Sequence, residues 1–386
     1  MQEEIKCDIV VVGGGPAGSL TAYYTSKLGF KTILLEKYKF PREKPCAGGL
    51  TMRALKYIPF SIDELVQKKE YELNIFNKNK DKHTLFSEHL FCTQIIRSEF
   101  DDFLLKQSIK AGTIVKHEQK VKQIIKHNDY IEVISTGNKI FTKYLCAADG
   151  SNSTIRKLLK INISGKNGFA IEGDIDNKLL SAFNLKMEFN FNYSDSNYAW
   201  TFRKNSHINV GVYSCNSSKT KLRKKNLFEY VKNKYQIESN NIKNIRGFPI
   251  NFDYHNINLS NNRIIFIGDA AGFAEPLLGE GIHHALKSAY LAGKAFKEIK
   301  LNGKLNLQNT YTLKCKKIIQ DLRFCNFLAN NFYRTRNDIG FMILKQYLIK
   351  QAFLKMMIAG RPTVDLIKKA PLVPFWSKCK QNSVKF

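Results

Sequence analysis

Three hydrophobic rhythms follow one another along the 386 residues. Near the start, Asp8–Val12 is a short, continuous β-branched run of the kind that forms a parallel strand buried on both faces. The stretch "SLTAYYTSKLG" that follows has helical character, Gly29 closes it, and "KTILLE" predicts a second strand ending at Glu36. In the middle, "LKMEFNFN", "NYAWTFRKN" and "HINVGVYSC" alternate apolar and polar positions, which predicts antiparallel strands. Tyr198, Trp200 and Phe202 then project from one face of their strand. That aromatic face either walls an apolar pocket or fills an ordinary sheet core. After about Ala295 the pattern turns helical. The run "IGFMILKQYLIKQAFLKMMIAG" approaches membrane length but is interrupted by Lys345, Lys350 and Lys355. Lysines five residues apart fall about 140° around a helix, so they leave no clean polar face. Two readings stand: a packed helix whose lysines reach outward, or a helix lying on a lipid surface. Residues 51–90 read as helical and then mixed, adding an edge to the central sheet.

Composition narrows the setting. Lys and Arg total 61 against 33 Asp and Glu, a net charge of +28. Residues 301–386 carry 16 of the basic and 3 of the acidic residues, hence +13. A basic C-terminal face suits an anionic partner such as an acidic membrane surface, while the Lys- and Asn-rich composition offers a plain alternative. The eight cysteines show no CxxC and no Cys/His ligand cluster, which argues against a disulfide framework or a structural metal. With no signal-like N-terminus and no run of about 18 apolar residues, the expectation is a cytoplasmic protein, at most peripheral to a membrane. It is expected to be a monomer with no specific nucleic-acid partner.

The chemistry begins at "VVVGGGPAGS". Gly13, Gly15 and Gly18 form a GxGxxG turn between the first strand and the first helix. Gly13 permits the turn, Gly15 lets a pyrophosphate approach the backbone, and Gly18 lets helix and strand pack closely. The free N–H groups and dipole of the helix N-terminus favour phosphate, and Glu36 is placed to accept from a ribose diol. The frame predicts dinucleotide binding. Two later segments each end a predicted strand. "YLCAADGSNSTIRK" ends one at Asp149-Gly150, and "NNRIIFIGDAAGFAEPLLGEGIHHAL" ends another at Gly268-Asp269 before a glycine turn and a long helix.

A single nucleotide fold followed by a DG and then a GD segment resembles the para-hydroxybenzoate hydroxylase-like flavoprotein superfamily. The resemblance implies an α/β fold with three parts. Residues 1–60, 91–160 and 260–300 would form a Rossmann-like FAD-binding domain. Residues 61–90 and 161–259 would form an antiparallel-sheet substrate domain, and 301–386 a helical C-terminal region. It implies FAD held by Gly13, Gly15, Pro16, Ala17, Gly18, Glu36, Lys37, Arg42, Cys46, Ala47, Gly48, Arg97, Asp149, Gly150, Gly268, Asp269, Gly279, Gly281 and Ile282. For Arg97 the plain alternative is an exposed helix-start arginine, and for Asp149 a simple turn former. Only one GxGxxG is present, so the electron donor is expected to dock transiently, as NADPH or NADH or as a ferredoxin-like protein.

Within that superfamily, "FPREKPCAGGL" and "YAWTFRK" resemble the PCAGG and YxWxFPK motifs of the geranylgeranyl reductase family. The likeness implies reduction of C=C bonds in a prenyl chain, with Tyr198, Trp200 and Phe202 on the substrate. It also makes Cys46 a catalytic candidate, as proton donor or flavin-facing contact, with Glu280 as a second candidate. Arg203 stands where the family motif has proline. It reads either as a cation near the pocket or as a solvent-facing residue, and His283 and His284 read as packing or solvent residues. The alternative activity on the same scaffold is an oxygenase that hydroxylates an apolar substrate.

Overall fold

The computed structural model describes residues 3–77, 81–161, 167–191, 193, 198–216, 221–252 and 263–333, with Leu354, Met357 and Ile358. The Lys345–Lys355 run therefore lies almost wholly outside the described residues.

The first apolar run forms the strand Glu3–Val12, with Ile9, Val10 and Val11 completely buried. It is central because both its faces are apolar. It pairs in parallel with Thr32–Leu35 on one side and Asn138–Ala147 on the other. Ile114–Lys116 and Ile264–Phe266 extend the parallel set, and the antiparallel strands Val121–Lys126 and Ile131–Ser135 close one end. The helix Pro16–Lys27 packs between Arg97–Lys110 and the long helix Ile282–Leu301, and Leu307–Phe332 packs behind the latter.

A second seven-stranded sheet runs in the order Lys243–Asn251, Asn167–Asp176, His207–Ser214, Tyr198–Arg203, Met187–Phe191, Glu72–Phe76 and Lys82–Phe86. It is antiparallel except where Met187–Phe191 meets Glu72–Phe76. The hairpin from residues 72–86 supplies its edge. The helical expectation for residues 51 onward holds for the four residues Met52–Leu55 and for a single 3-10 turn at Asp63–Leu65. The strands Gly49–Thr51, Lys68–Glu70 and Cys92–Gln94 instead form a separate three-stranded sheet. No described helix is long and apolar enough to cross a membrane.

Candidate active site

A cavity of about 770 Å³ opens at the carboxyl ends of the parallel strands, where Val12, Leu35 and Ala148 reach it, and runs beneath the antiparallel sheet. Ligands of open α/β sheets bind at this edge. The glycines divide into two kinds here. A Cβ on Gly18 would lie 1.8 Å from the Gly13 carbonyl oxygen, and one on Gly13, at φ +104°, would meet the Ala148 carbonyl oxygen at 2.4 Å. Both are closed by the protein itself, and Gly18 does not line the cavity. A Cβ on Gly15 would meet only Arg42 Nη2, at 3.5 Å, and one on Gly150 would meet nothing within 4 Å. Those two backbones lie open toward the cavity.

Around this cradle the side chains are fixed from behind. The buried Glu36 accepts from the Gly14 N–H at 2.6 Å and from the Tyr38 N–H at 3.0 Å, leaving further lone pairs for a ligand. Arg97 opens its helix and grips Asp101 with Nε and Nη2, both at 2.9 Å, while Arg42 reaches the same carboxylate at 3.3 Å. Arg97 is thus half-buried and paired rather than exposed. Asp149 accepts from Ser153 Oγ at 2.6 Å and from the Ile155 N–H at 3.1 Å, so it does build the turn, and it also faces the cavity. Burial raises its carboxyl above the ordinary range. Asp269 lies close against Gly281, where a Cβ would meet its Oδ1 at 2.8 Å. Gly268 lies off the cavity, tucked against Ala17 and Ala285. Pro16, Ala17, Lys37, Ala47, Gly48, Gly279 and Ile282 all line it.

Cys46 lies in the loop before Gly49–Thr51. Its N–H donates to Glu172 Oε1 at 3.0 Å, its Sγ accepts from the Gly48 N–H at 3.4 Å, and the Arg97 guanidinium interacts with the thiol. The loop is pinned to the antiparallel sheet by Lys204, the last residue of "YAWTFRK". Lys204 Nζ donates to the Ala47 carbonyl at 2.6 Å and to Gln94 Oε1 at 2.7 Å. Burial lowers its ammonium to about 8. A Cβ on Gly48 would meet the Ile95 carbonyl oxygen at 2.1 Å and Lys204 Nζ at 2.9 Å, so only glycine passes this junction at φ +73°. The two motifs are one structural unit.

Tyr198, Trp200 and Phe202 are buried and face the cavity together with Met187, Phe189 and Tyr213. The aromatic face therefore serves as core and pocket wall at once. Trp200 Nε1 donates to Asn209 Oδ1 at 2.8 Å. Tyr213 donates to the Pro276 carbonyl at 2.8 Å, Tyr333 to Leu277 and Tyr198 to Leu278, so three hydroxyls hold three successive carbonyls of the loop before Gly279. Inside that loop Glu275 accepts from the N–H groups of Leu277 and Leu278, and burial, aided by Glu280, raises its carboxyl to about 7.

The structure decides three open readings. Arg203 is exposed and points away from the face carrying its aromatic neighbours, because strand alternation turns it outward; it is not a pocket cation. Glu280 lines the cavity, but Arg53 and Thr51 bind its carboxylate, which suits a structural anchor better than a proton donor. His283 and His284 are packing residues: both are buried, and burial lowers their imidazoles well below the usual range.

Residues 6–323 match the family described as FAD binding domain. The chain is 30% identical to a digeranylgeranylglycerophospholipid reductase of Methanocaldococcus jannaschii, over 76% of this chain and 78% of that one. The chain belongs to the geranylgeranyl reductase family of FAD-binding flavoproteins. It is 26% identical to a chloroplastic geranylgeranyl diphosphate reductase of Arabidopsis thaliana, over 94% of this chain and 83% of that one. Its fold matches that of a geranylgeranyl bacteriochlorophyll reductase-like protein from Thermoplasma acidophilum with a TM-score of 0.76, at 20% identity over 96% of each chain.

As a member of this family the protein is an FAD-dependent oxidoreductase, and its residues fit the cofactor. The open backbones at Gly15 and Gly150, the buried Glu36 and the Arg42–Arg97 pair would offer FAD a phosphate cradle, a ribose acceptor and cations in one crevice. Three further residues stand at the site beyond those the motifs assign. Lys44 lines the cavity over the Phe248 ring, and burial lowers its ammonium to about 7. Glu172 sits in an unremarkable "IEGDID" strand. Lys204 ends the YAWTFRK motif, the one sequence signal among the three.

Proposed function

We propose that this protein saturates C=C bonds in a prenyl chain carried by a diphosphate, a lipid or a pigment or quinone tail. The single observation carrying the reading is that the aromatic wall and the dinucleotide cradle share one cavity, with Cys46 at their junction. Its relatives' activities support the same choice of substrate class. Reduced FAD, when bound, supplies a hydride to one alkene carbon. The chain's own residues do the rest. Tyr198, Trp200, Phe189 and Met187 exclude water and align an extended apolar chain. Lys204 and Gln94 fix the loop that carries Cys46, and the Cys46 thiol delivers a proton to the second alkene carbon. The electron donor docks transiently, as a nicotinamide nucleotide or a small acidic redox protein. The net charge of +28 supports docking at an anionic membrane that delivers the substrate.

Product mass spectrometry after incubation with geranylgeranyl diphosphate, an electron donor and catalytic protein tests this reading. A product that gains two hydrogens per reduced bond, formed equally well under argon, is expected. A product that gains one oxygen and forms only in air would replace the reductase with a hydroxylase.

A further inference from the structure

Cofactor and substrate account for one of the two cavities that meet at Cys46. The second, of about 320 Å³, shares Glu43, Lys44, Cys46, Arg97 and Glu172 with the first. Away from that shared wall Asp174, Asp176, Lys204, His207, Asn209 and Arg246 line it together with Ile95, Ile96 and Ile175, so it carries a cluster of charged and polar groups that the first cavity's aromatic wall lacks. A hydrophobic alkene pocket has no use for such a lining, yet every alkene reduction must take up a proton from outside the dry chamber.

We propose that this polar cavity is the proton inlet of the active site and that Glu172 is the positioning residue that reprotonates Cys46. The inference rests on the alkene reduction proposed above. When the Cys46 S–H bond breaks to protonate the alkene carbon, a thiolate remains. The O–H bond of Glu172 then breaks as the S–H bond re-forms, by way of water in the cavity that both residues line. Solvent entering the same cavity returns a proton to the carboxylate. No electrons move in these steps; both electrons reach the alkene with the hydride of reduced FAD.

The geometry is specific to this carboxyl. Glu172 is 4% exposed, touches the Cys46 loop through the N–H bond at 3.0 Å, and lines both cavities. The groups facing it come from every neighbouring element. Arg246 Nη2 stands at 4.0 Å from the adjacent strand and Asp174 lies on its own strand. Lys44 and Cys46 come from the loop, Lys204 from the end of the aromatic strand and Arg97 from its helix. Glu43 neutralises Arg246 at 2.7 Å, and His207 faces Asp174 at 3.5 Å. Burial raises the Glu172 carboxyl to about 7, against the Cys46 N–H and Arg246, so near neutrality it both gives and takes a proton. Glu275 is raised as far but lines neither cavity.

Alkylation of Cys46 by iodoacetamide in the oxidised, FAD-loaded protein without substrate, followed by peptide mass spectrometry across pH, tests the coupling. The wild-type rate should climb with pH and break near 7, where Glu172 ionises and opposes the thiolate. In Glu172→Gln the break should vanish, and the rate above it should rise about threefold to tenfold. Superimposable profiles would overturn the proposal. If Glu172→Gln does not fold, Arg246→Met serves instead: losing the cation should move the break to higher pH, and an unmoved break would overturn the proposal equally. With a prenyl substrate, Glu172→Gln should lower kcat on the order of tenfold at unchanged KM. A protein that shows the alkylation break yet reduces no prenyl chain would contradict the proposed function while supporting the Glu172–Cys46 coupling.

Discussion

Along one cross-strand row of the antiparallel sheet, the residues pass from Arg246 and Glu172 across Gly211 to Trp200 and Phe189. One end of the row is ionic and the other aromatic. Both belong to the same cavity-facing surface, and the difference shows how a single sheet face keeps a wet compartment beside a dry one. Gly211 is the divider. A Cβ there would lie 2.1 Å from Trp200 Cζ2, so the indole covers the space that a side chain would occupy. The next row stitches the two ends together, because Asn209 accepts from Trp200 Nε1 and donates to Asp174 Oδ1 at 3.0 Å. The aromatic end excludes water by packing, whereas the polar end holds charge through paired partners.

The largest way to break this contrast is Trp200→Ala. Removing a buried indole from a packed wall is expected to cost about 3–5 kcal/mol by chemical denaturation and to abolish prenyl saturation. The pH break in Cys46 alkylation should survive, since the polar end is untouched.

Glu172→Gln probes the other end through stability. The wild-type carboxyl ionises near 7 when folded, against an ordinary value of 4.5. Between those values the folded protein keeps a proton that the unfolded chain has released, so wild-type stability falls as pH rises through the window. Relative to the variant, whose amide does not titrate, the wild type should lose up to about 3 kcal/mol from pH 4.5 to 7, with no further change above. A constant difference across that window would mean the carboxyl is not held neutral by burial.

Lys204→Met cuts the seam between the regions. It strands the Ala47 carbonyl and Gln94 Oε1, at a cost of about 1–3 kcal/mol, and frees the Cys46 loop. Thermal melts and the rate of alkene reduction should both fall, with retained FAD showing that the cradle persists. Arg203→Ser should change least, within about 0.5 kcal/mol and without effect on KM, because the side chain is exposed on the outer face.

The nucleotide half was legible in sequence because its signals are local. A continuous apolar strand, a glycine turn and a terminal Glu36 sit within one stretch of chain, and each has a single physical task. The aromatic triad was legible for the same reason, since period-two alternation alone places Tyr198, Trp200 and Phe202 together. The polar end was not. Glu172 acquires its character from Arg246, Cys46 and Asn209, which only the sheet registry brings beside it, and in isolation it looks like any acidic residue on a strand. Lys204 shows the intermediate case: its motif marked it, but its role depends on a carbonyl contributed by a distant loop. For Arg203 the sequence left a pocket cation and a solvent-facing residue open, and strand alternation decides for the second by turning it away from its cavity-facing neighbours.

The most direct test of the central claim is anaerobic stopped-flow absorbance. The protein, with its flavin reduced by dithionite, is mixed with geranylgeranyl diphosphate in the absence of oxygen. Recovery of the oxidised flavin spectrum, with a matching amount of hydrogenated product, is the predicted result. A flavin that stays reduced until air is admitted would contradict it.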